Sequence, residues 1–135
     1  MNQPKVQGTL LGFDYGLRRI GVAVGQTVTQ TANPLTILPA DNGKADWEQI
    51  ADLIREWRPA ALVVGIPAHA DGSDNELSPR ARRFARQLQG RFGKPVYSVD
   101  EHLSSHAAAS TGERRPGEAI DDLAAARILE DWLKQ

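Results

Sequence analysis

Five carboxylates in this chain stand where acidic side chains could do chemistry: Asp14, the pair Asp100-Glu101, and the pair Asp121-Asp122. Asp14 closes a short apolar run, Thr9 to Phe13, and precedes Gly16. An aspartate there can bond the amides of a turn or project a functional group from a strand end. Asp100-Glu101 follows Val96 to Val99, again at the end of an apolar run, where sites in open α/β sheets are assembled. Neighbours on an extended chain point to opposite faces, so only one of the pair can face a given site, and spacing does not say which. Asp121 falls near the middle of a helical stripe formed by Ala124, Ala125, Ile128 and Trp132, with Leu129 on its flank. A carboxylate in such a stripe is costly unless it is paired, hydrogen-bonded or bound to metal, although a helix N-terminus favours an anion. Asp122 lies toward the stripe edge with Leu133 and serves equally well as a first-turn helix charge. Carboxylates from three separate elements, in a chain without cysteine, suit a hard cation, Mg²⁺ or Mn²⁺. One or two such ions would support in-line displacement at a phosphodiester.

Other groups are less specific. Arg80, Arg82, Arg83 and Arg86 lie on one helical segment and read as a phosphate-contacting face or as a solvated one. No Phe or Tyr is interleaved with them on the exposed side, so base stacking is not indicated. His102 and His106 are four apart, but no third ligand completes a zinc site, and they read as an ordinary surface pair. The glycines form neither a dinucleotide nor a Walker pattern.

The elements that must position these groups follow from periodicity. Thr9 to Phe13 and Ile20 to Val24 are apolar runs joined by a glycine-containing turn, a hairpin signature. Asn33 to Leu38 is a third strand, with Pro34 at its start or at an edge. Asp46 caps a helix over 47–57, which Arg58-Pro59 ends. Ala60 to Ile66 is apolar throughout, as in a strand covered on both faces. Ser78-Pro79 reads as a cap and first helical position, with Ala81, Phe84, Ala85 and Leu88 as the buried stripe. Pro95 to Val99 is a strand, and a last helix spans roughly 118–134. Trp47, Trp57 and Trp132 fall on helix stripes and read as core. Strands alternating with helices predict an α/β fold with a mixed sheet, in a single domain over residues 1–135.

Composition agrees with that reading. The 41% hydrophobic and 24% charged residues are ordinary for a globular domain. The missing cysteines exclude disulfides, thiolate metal sites and a cysteine nucleophile, and they fit a reducing cytoplasm. There is neither a signal-like N-terminus nor a run of the roughly eighteen apolar residues that a membrane helix needs. The net charge of −1 advertises no general affinity for polyanions. Its distribution does: residues 76–95 hold six basic groups against Glu76 alone.

Several motifs in order resemble the YqgF family, whose members are described as Holliday-junction resolvases and as pre-16S rRNA nucleases. They are Gly12-Phe-Asp14-Tyr-Gly16 with Ile20-Gly-Val-Ala-Val24; Val63-Val-Gly65-Ile-Pro67 with Asp71-Gly72; Arg80-Ala-Arg-Arg-Phe84-Ala; and Arg91-Phe-Gly93. Asp100-Glu101-His102-Leu103-Ser104 and Ile120-Asp121-Asp-Leu-Ala-Ala125 with Ile128-Leu129 complete the set. The resemblance implies a ribonuclease-H-like fold: a five-stranded mixed sheet, its first three strands antiparallel, with helices on both faces. It also implies Asp14, Glu101 and Asp121 as the metal-binding catalytic triad, and His69 and His102 beside the arginines in substrate binding. Three features depart from the family pattern. His102 replaces an arginine that usually follows the Asp-Glu pair, and His69 replaces an asparagine. The segment from Glu101 to Asp121 is about eight residues shorter than the family leads one to expect, with Arg114 and Arg115 as its basic groups.

The implied activity is metal-dependent hydrolysis of structured nucleic acid, with precursor 16S rRNA as substrate, in a bacterial cytoplasm. The precursor ribosomal particle is the implied partner, and the chain acts as a monomer or homodimer. Alternatives are a resolvase of branched DNA, or a nucleic-acid or ribosome-binding module with little catalysis. A sugar-kinase or actin-like ATPase needs two such domains, more than 135 residues supply.

Overall fold

The computed structural model describes residues 6–102 and 121–134. Its centre is a mixed sheet in the order β4-β3-β2-β1-β5-β6. β1 (Thr9–Asp14) and β2 (Arg19–Gln26) form the expected hairpin, and β3 (Thr31–Asp41) continues it antiparallel. β5 (Ala61–Ala68) joins β1 in parallel, and β6 (Val96–His102) joins β5 in parallel. The two parallel connections run through α1 (Trp47–Trp57) and α2 (Ser78–Phe92). The chain described at the far end forms α3 (Asp121–Leu133).

The sheet has six strands rather than five. The addition is β4 (Lys44–Ala45), which pairs back on Ala40 and Asp41. Asn42 and Gly43 both have positive φ, at 51° and 86°, the conformation of a two-residue hairpin turn matched to strand twist. β3 is also longer than the six residues expected, because a register irregularity opposite Val22 and Ala23 absorbs Pro34 without breaking the ladder.

Strand alternation sorts the core into two layers. Leu11, Phe13, Ile20, Val22, Leu62, Val64 and Ile66 face α1 and α2, where they meet Ile50, Ile54, Phe84 and Leu88. Leu10, Ala23, Val63 and Val99 face α3. Asp46 caps α1 as expected, its carboxylate accepting from the amides of Glu48 and Gln49, and Arg58 ends the helix in the left-handed region.

Ser78 does not cap α2. It is fully buried, and its hydroxyl donates to the Pro67 carbonyl at the end of β5. Asn75 takes the capping role, its side-chain oxygen accepting from the amides of Leu77 and Ser78.

On α3 the buried stripe is broader than the spacing argument supposed. Ala125, Ala126, Ile128, Leu129, Trp132 and Leu133 are all buried, whereas Ala124 is only half-buried. The helix lies directly on strand glycines. A Cβ on Gly12 would come within 2.5 Å of Leu129 Cγ, and one on Gly65 would collide with Ile128. Trp132 stacks on Tyr97 of β6, and Trp47 packs against Phe84, both as core residues.

Candidate active site

Asp14 is the last residue of β1, paired with Gly21 on one side and Gly65 on the other. Leu11 and Phe13 face α1 and α2, so Asp14, like Leu10, projects toward the α3 layer. On β6 the same parity puts Val96 in the α1/α2 layer and Tyr97 and Val99 in the α3 layer, and therefore Glu101 on the α3 side. The Glu101 stem confirms this, lying 3.3 Å from where a Cβ on Gly65 would stand. Asp100 faces the other way, where it adds to the attraction on Arg82. Of the pair whose facing spacing left open, Glu101 is the one on the face of Asp14. Asp14 and Glu101 thus share one face at one end of the sheet, with a bare glycine on the strand between them.

The electrostatics around Glu101 are crowded. Burial, then contact with the Asp131 carboxylate and the charge of Asp14, push the Glu101 carboxyl from 4.5 up to about 8, while Arg127 pulls it down. Its Oε2 is buried without a hydrogen-bond partner among the described residues. An orphaned acceptor beside other carboxylates is costly unless a proton or cation meets it. Asp131 entered this neighbourhood without any signal in the sequence. It lies ten residues beyond Asp121 on an exposed part of α3, and only the crossing of α3 over β5 and β6 brings it to Glu101.

Asp121 is the first residue of α3, and its side chain, like those of Asp122 and His102, lies outside the described residues. With the stripe recentred between Ala125 and Leu129, positions 121 and 122 stand almost equally far from its middle at about 100° per residue, so spacing alone no longer separates them. Among the described residues, no group of three or more His, Cys, Asp or Glu could hold a metal ion. His106, Arg114 and Arg115 also lie outside the described residues.

Arg82 and Arg86 line one side of α2, and Arg80 and Arg83 the other. His69 is exposed just beyond β5, in a turn where its amide donates to the Ser73 carbonyl and Asp71 accepts from Ser73. Hydrogen bonds from the Ser73 side chain and amide hold the Asp71 carboxyl below its usual range. Arg82 makes a two-pronged bond to Asp74 at 2.7 and 2.8 Å. Arg86 lines a depression with Arg82, Val96 and Ser98. Arg80 donates to the Asn42 carbonyl at 2.8 Å, on the opposite side of α2, and Arg83 lines a cleft on that side.

A mixed sheet in this strand order, sandwiched by helices, is a ribonuclease-H-like fold, the one seen in RuvC. RuvC from T. thermophilus, solved in complex with a Holliday junction substrate, superposes with a TM-score of 0.54 at 17% identity, covering 94% of each chain. The fowlpox virus Holliday junction resolvase gives 0.52 at 14% identity, covering 93% of this chain and 98% of that one. The family described as "RuvX: Holliday junction resolvase" matches residues 8–135, and the chain belongs to it. Relatives named "Putative pre-16S rRNA nuclease" include one from Hydrogenovibrio crunogenus, 46% identical over 98% of each chain. Another, from Pseudomonas aeruginosa strain LESB58, is 52% identical over 93% of this chain and 92% of its own.

Proposed function

We propose that this chain is a divalent-metal-dependent nuclease that hydrolyses a phosphodiester of structured RNA, precursor 16S rRNA being the substrate its relatives' names suggest. The observation that carries this reading is the pairing of Asp14 with Glu101 on one face, with the Glu101 Oε2 buried and unpartnered. That donor set fits a hard cation, being all-oxygen and anionic. Asp14 and Glu101, joined by Asp121 at the start of α3, would hold one or two Mg²⁺ or Mn²⁺ ions. When bound, the ion supplies charge neutralisation at the scissile phosphate. Asp14 and Glu101 orient the site from fixed strand ends, and Gly65 between them lets Ile128 of α3 pack close against the sheet. Arg80, Arg82, Arg83, Arg86, His69 and His102 supply contacts to the flanking strand. No helix among the described residues is long and apolar enough to cross a membrane, and the reading places the chain in the cytoplasm with precursor ribosomes. The family's description adds branched DNA as the second substrate to try.

The test is cleavage of a labelled precursor 16S rRNA 5′ fragment and of a four-way DNA junction, each with Mg²⁺ and with Mn²⁺. Asp14→Asn, which keeps hydrogen-bonding capacity but loses the anion, should abolish cleavage while leaving the melting curve cooperative. Metal-dependent cleavage that survives Asp14→Asn in a preparation free of other nucleases would remove Asp14 from the mechanism.

A further inference from the structure

We infer that the cleft between the β3–β4 turn and α2 is a phosphate subsite, taking a backbone phosphate of the nucleic-acid strand engaged at Asp14. The identity of that strand rests on the proposed nuclease reading. The cleft has a volume of about 340 Å³ and is lined by Lys44, Arg80, Arg83, Gln87, Tyr15 and Trp47. Three cations meet there with no carboxylate in the lining, in a chain whose net charge is −1. Lys44 and Arg83 are exposed and have no ion pair among the described residues.

The cleft is held in shape. Tyr15 donates its hydroxyl to the Gly43 carbonyl at 2.7 Å, and the Gly43 amide donates to the Leu17 carbonyl at 2.8 Å. Arg80 spends one nitrogen on the Asn42 carbonyl, which fixes its stem and leaves the rest of its donor fork for an anion. A Cβ on Gly43 would crowd Tyr15 and come within 2.8 Å of Arg80, so the turn needs glycine for close approach as well as for its positive φ.

The aromatic residues do not offer a base platform. Trp47 stacks on Phe84 and carries the Arg91 guanidinium 4.3 Å from its ring centroid, and Tyr15 is 7% exposed. With no ring face open, the cleft recognises charge. Its position links it to the carboxylates. Tyr15 follows Asp14 directly, Asp14 projecting toward the α3 layer and Tyr15 packing in the other. A strand crossing the end of β1 therefore meets both sites.

The experiment measures binding of a labelled single-stranded RNA to the Asp14→Asn protein across a salt series. Combining Lys44→Gln with Arg83→Gln should flatten the slope of log affinity against log salt by about 1.4, two contacts at about 0.7 each. Arg83→Lys, which keeps the charge, should restore half of that loss. Arg55→Gln, removing a charge already paired to Asp52, should leave the slope unchanged. An unchanged slope in the folded double variant overturns the subsite. Inorganic pyrophosphate is the second probe. If it binds wild type and not the double variant while RNA binds both alike, the cleft serves a free phosphate and the strand assignment is overturned. A full two-contact loss, together with a wild-type protein that cleaves neither RNA nor DNA substrate, would uphold the subsite and sink only the catalytic reading.

Discussion

Glu101→Gln should stabilise the metal-free protein at alkaline pH and leave it nearly unchanged in acid. The folded state holds the Glu101 proton up to about pH 8, against 4.5 for an ordinary glutamate. Between those values the folded chain binds more protons than the unfolded one, so stability falls as pH rises, and the deficit is complete above about 8. At about 1.36 kcal/mol per pH unit the full gap would be worth almost 5 kcal/mol. Glu101 is only half-buried, and solvent screening reduces this to about 1–2 kcal/mol. For a chain of this size that is roughly 4–8 °C in melting temperature. Gln has the shape of the protonated acid and cannot ionise, so its melting curve should be level where wild type declines. The assay is thermal unfolding in EDTA at several pH values from about 5 to 9. Asp131→Asn should make the wild-type decline smaller and end it at a lower pH, because a neighbouring negative charge that raises the Glu101 carboxyl is gone. Wild-type and Glu101→Gln curves that run parallel over the whole range would refute the crowding on which the site rests.

Mg²⁺ should raise the melting temperature of wild type by mass action; Asp121→Asn should lose most of that increment and Asp122→Asn should keep it, and the reverse result would move the ligand by one residue. Gly65→Ala should cost about 1–3 kcal/mol, read as a lower denaturation midpoint, because its methyl collides with Ile128. Ser78→Ala should cost about 1–3 kcal/mol by leaving the Pro67 carbonyl short of its donor, and an unchanged midpoint would show that the carbonyl finds another.

Where a single element decided the outcome, the sequence was readable. Apolar runs located β1, β2 and β5, and Asp46 announced α1, because burial and capping act within a few residues. The failures come from relations between elements. β4 is two residues long, too short for any periodicity, and exists because the Asn42-Gly43 turn folds back on β3. Ser78 looks like a cap in sequence, yet its hydroxyl answers a carbonyl eleven residues away. Alternation established that Asp100 and Glu101 part company, but the face that α3 covers had to come from the packing of Tyr97 and Val99. Asp131 lay beyond reach for the same reason: the crossing of α3, not its spacing, brings it to Glu101.

A net charge of −1 argues against a polyanion substrate only where charge is evenly spread, and here it is not. The carboxylates project from one face of the sheet, beneath α3, while the arginines of α2 stand on the other with Lys44. A single strand end separates the two charges, since Asp14 closes β1 and Tyr15 follows it directly. At an ionic strength where the Debye length is about 8–10 Å, exposed charges act locally and the total says little about what an approaching phosphate meets. The cations can therefore hold flanking phosphates without neutralising the acidic cluster. That cluster must keep its charge deficit, because a carboxylate already satisfied by arginine would have little affinity left for a metal ion. Arg127 marks the limit of this separation, the one cation acting on Glu101 among the described residues, and its pull leaves the carboxyl still raised.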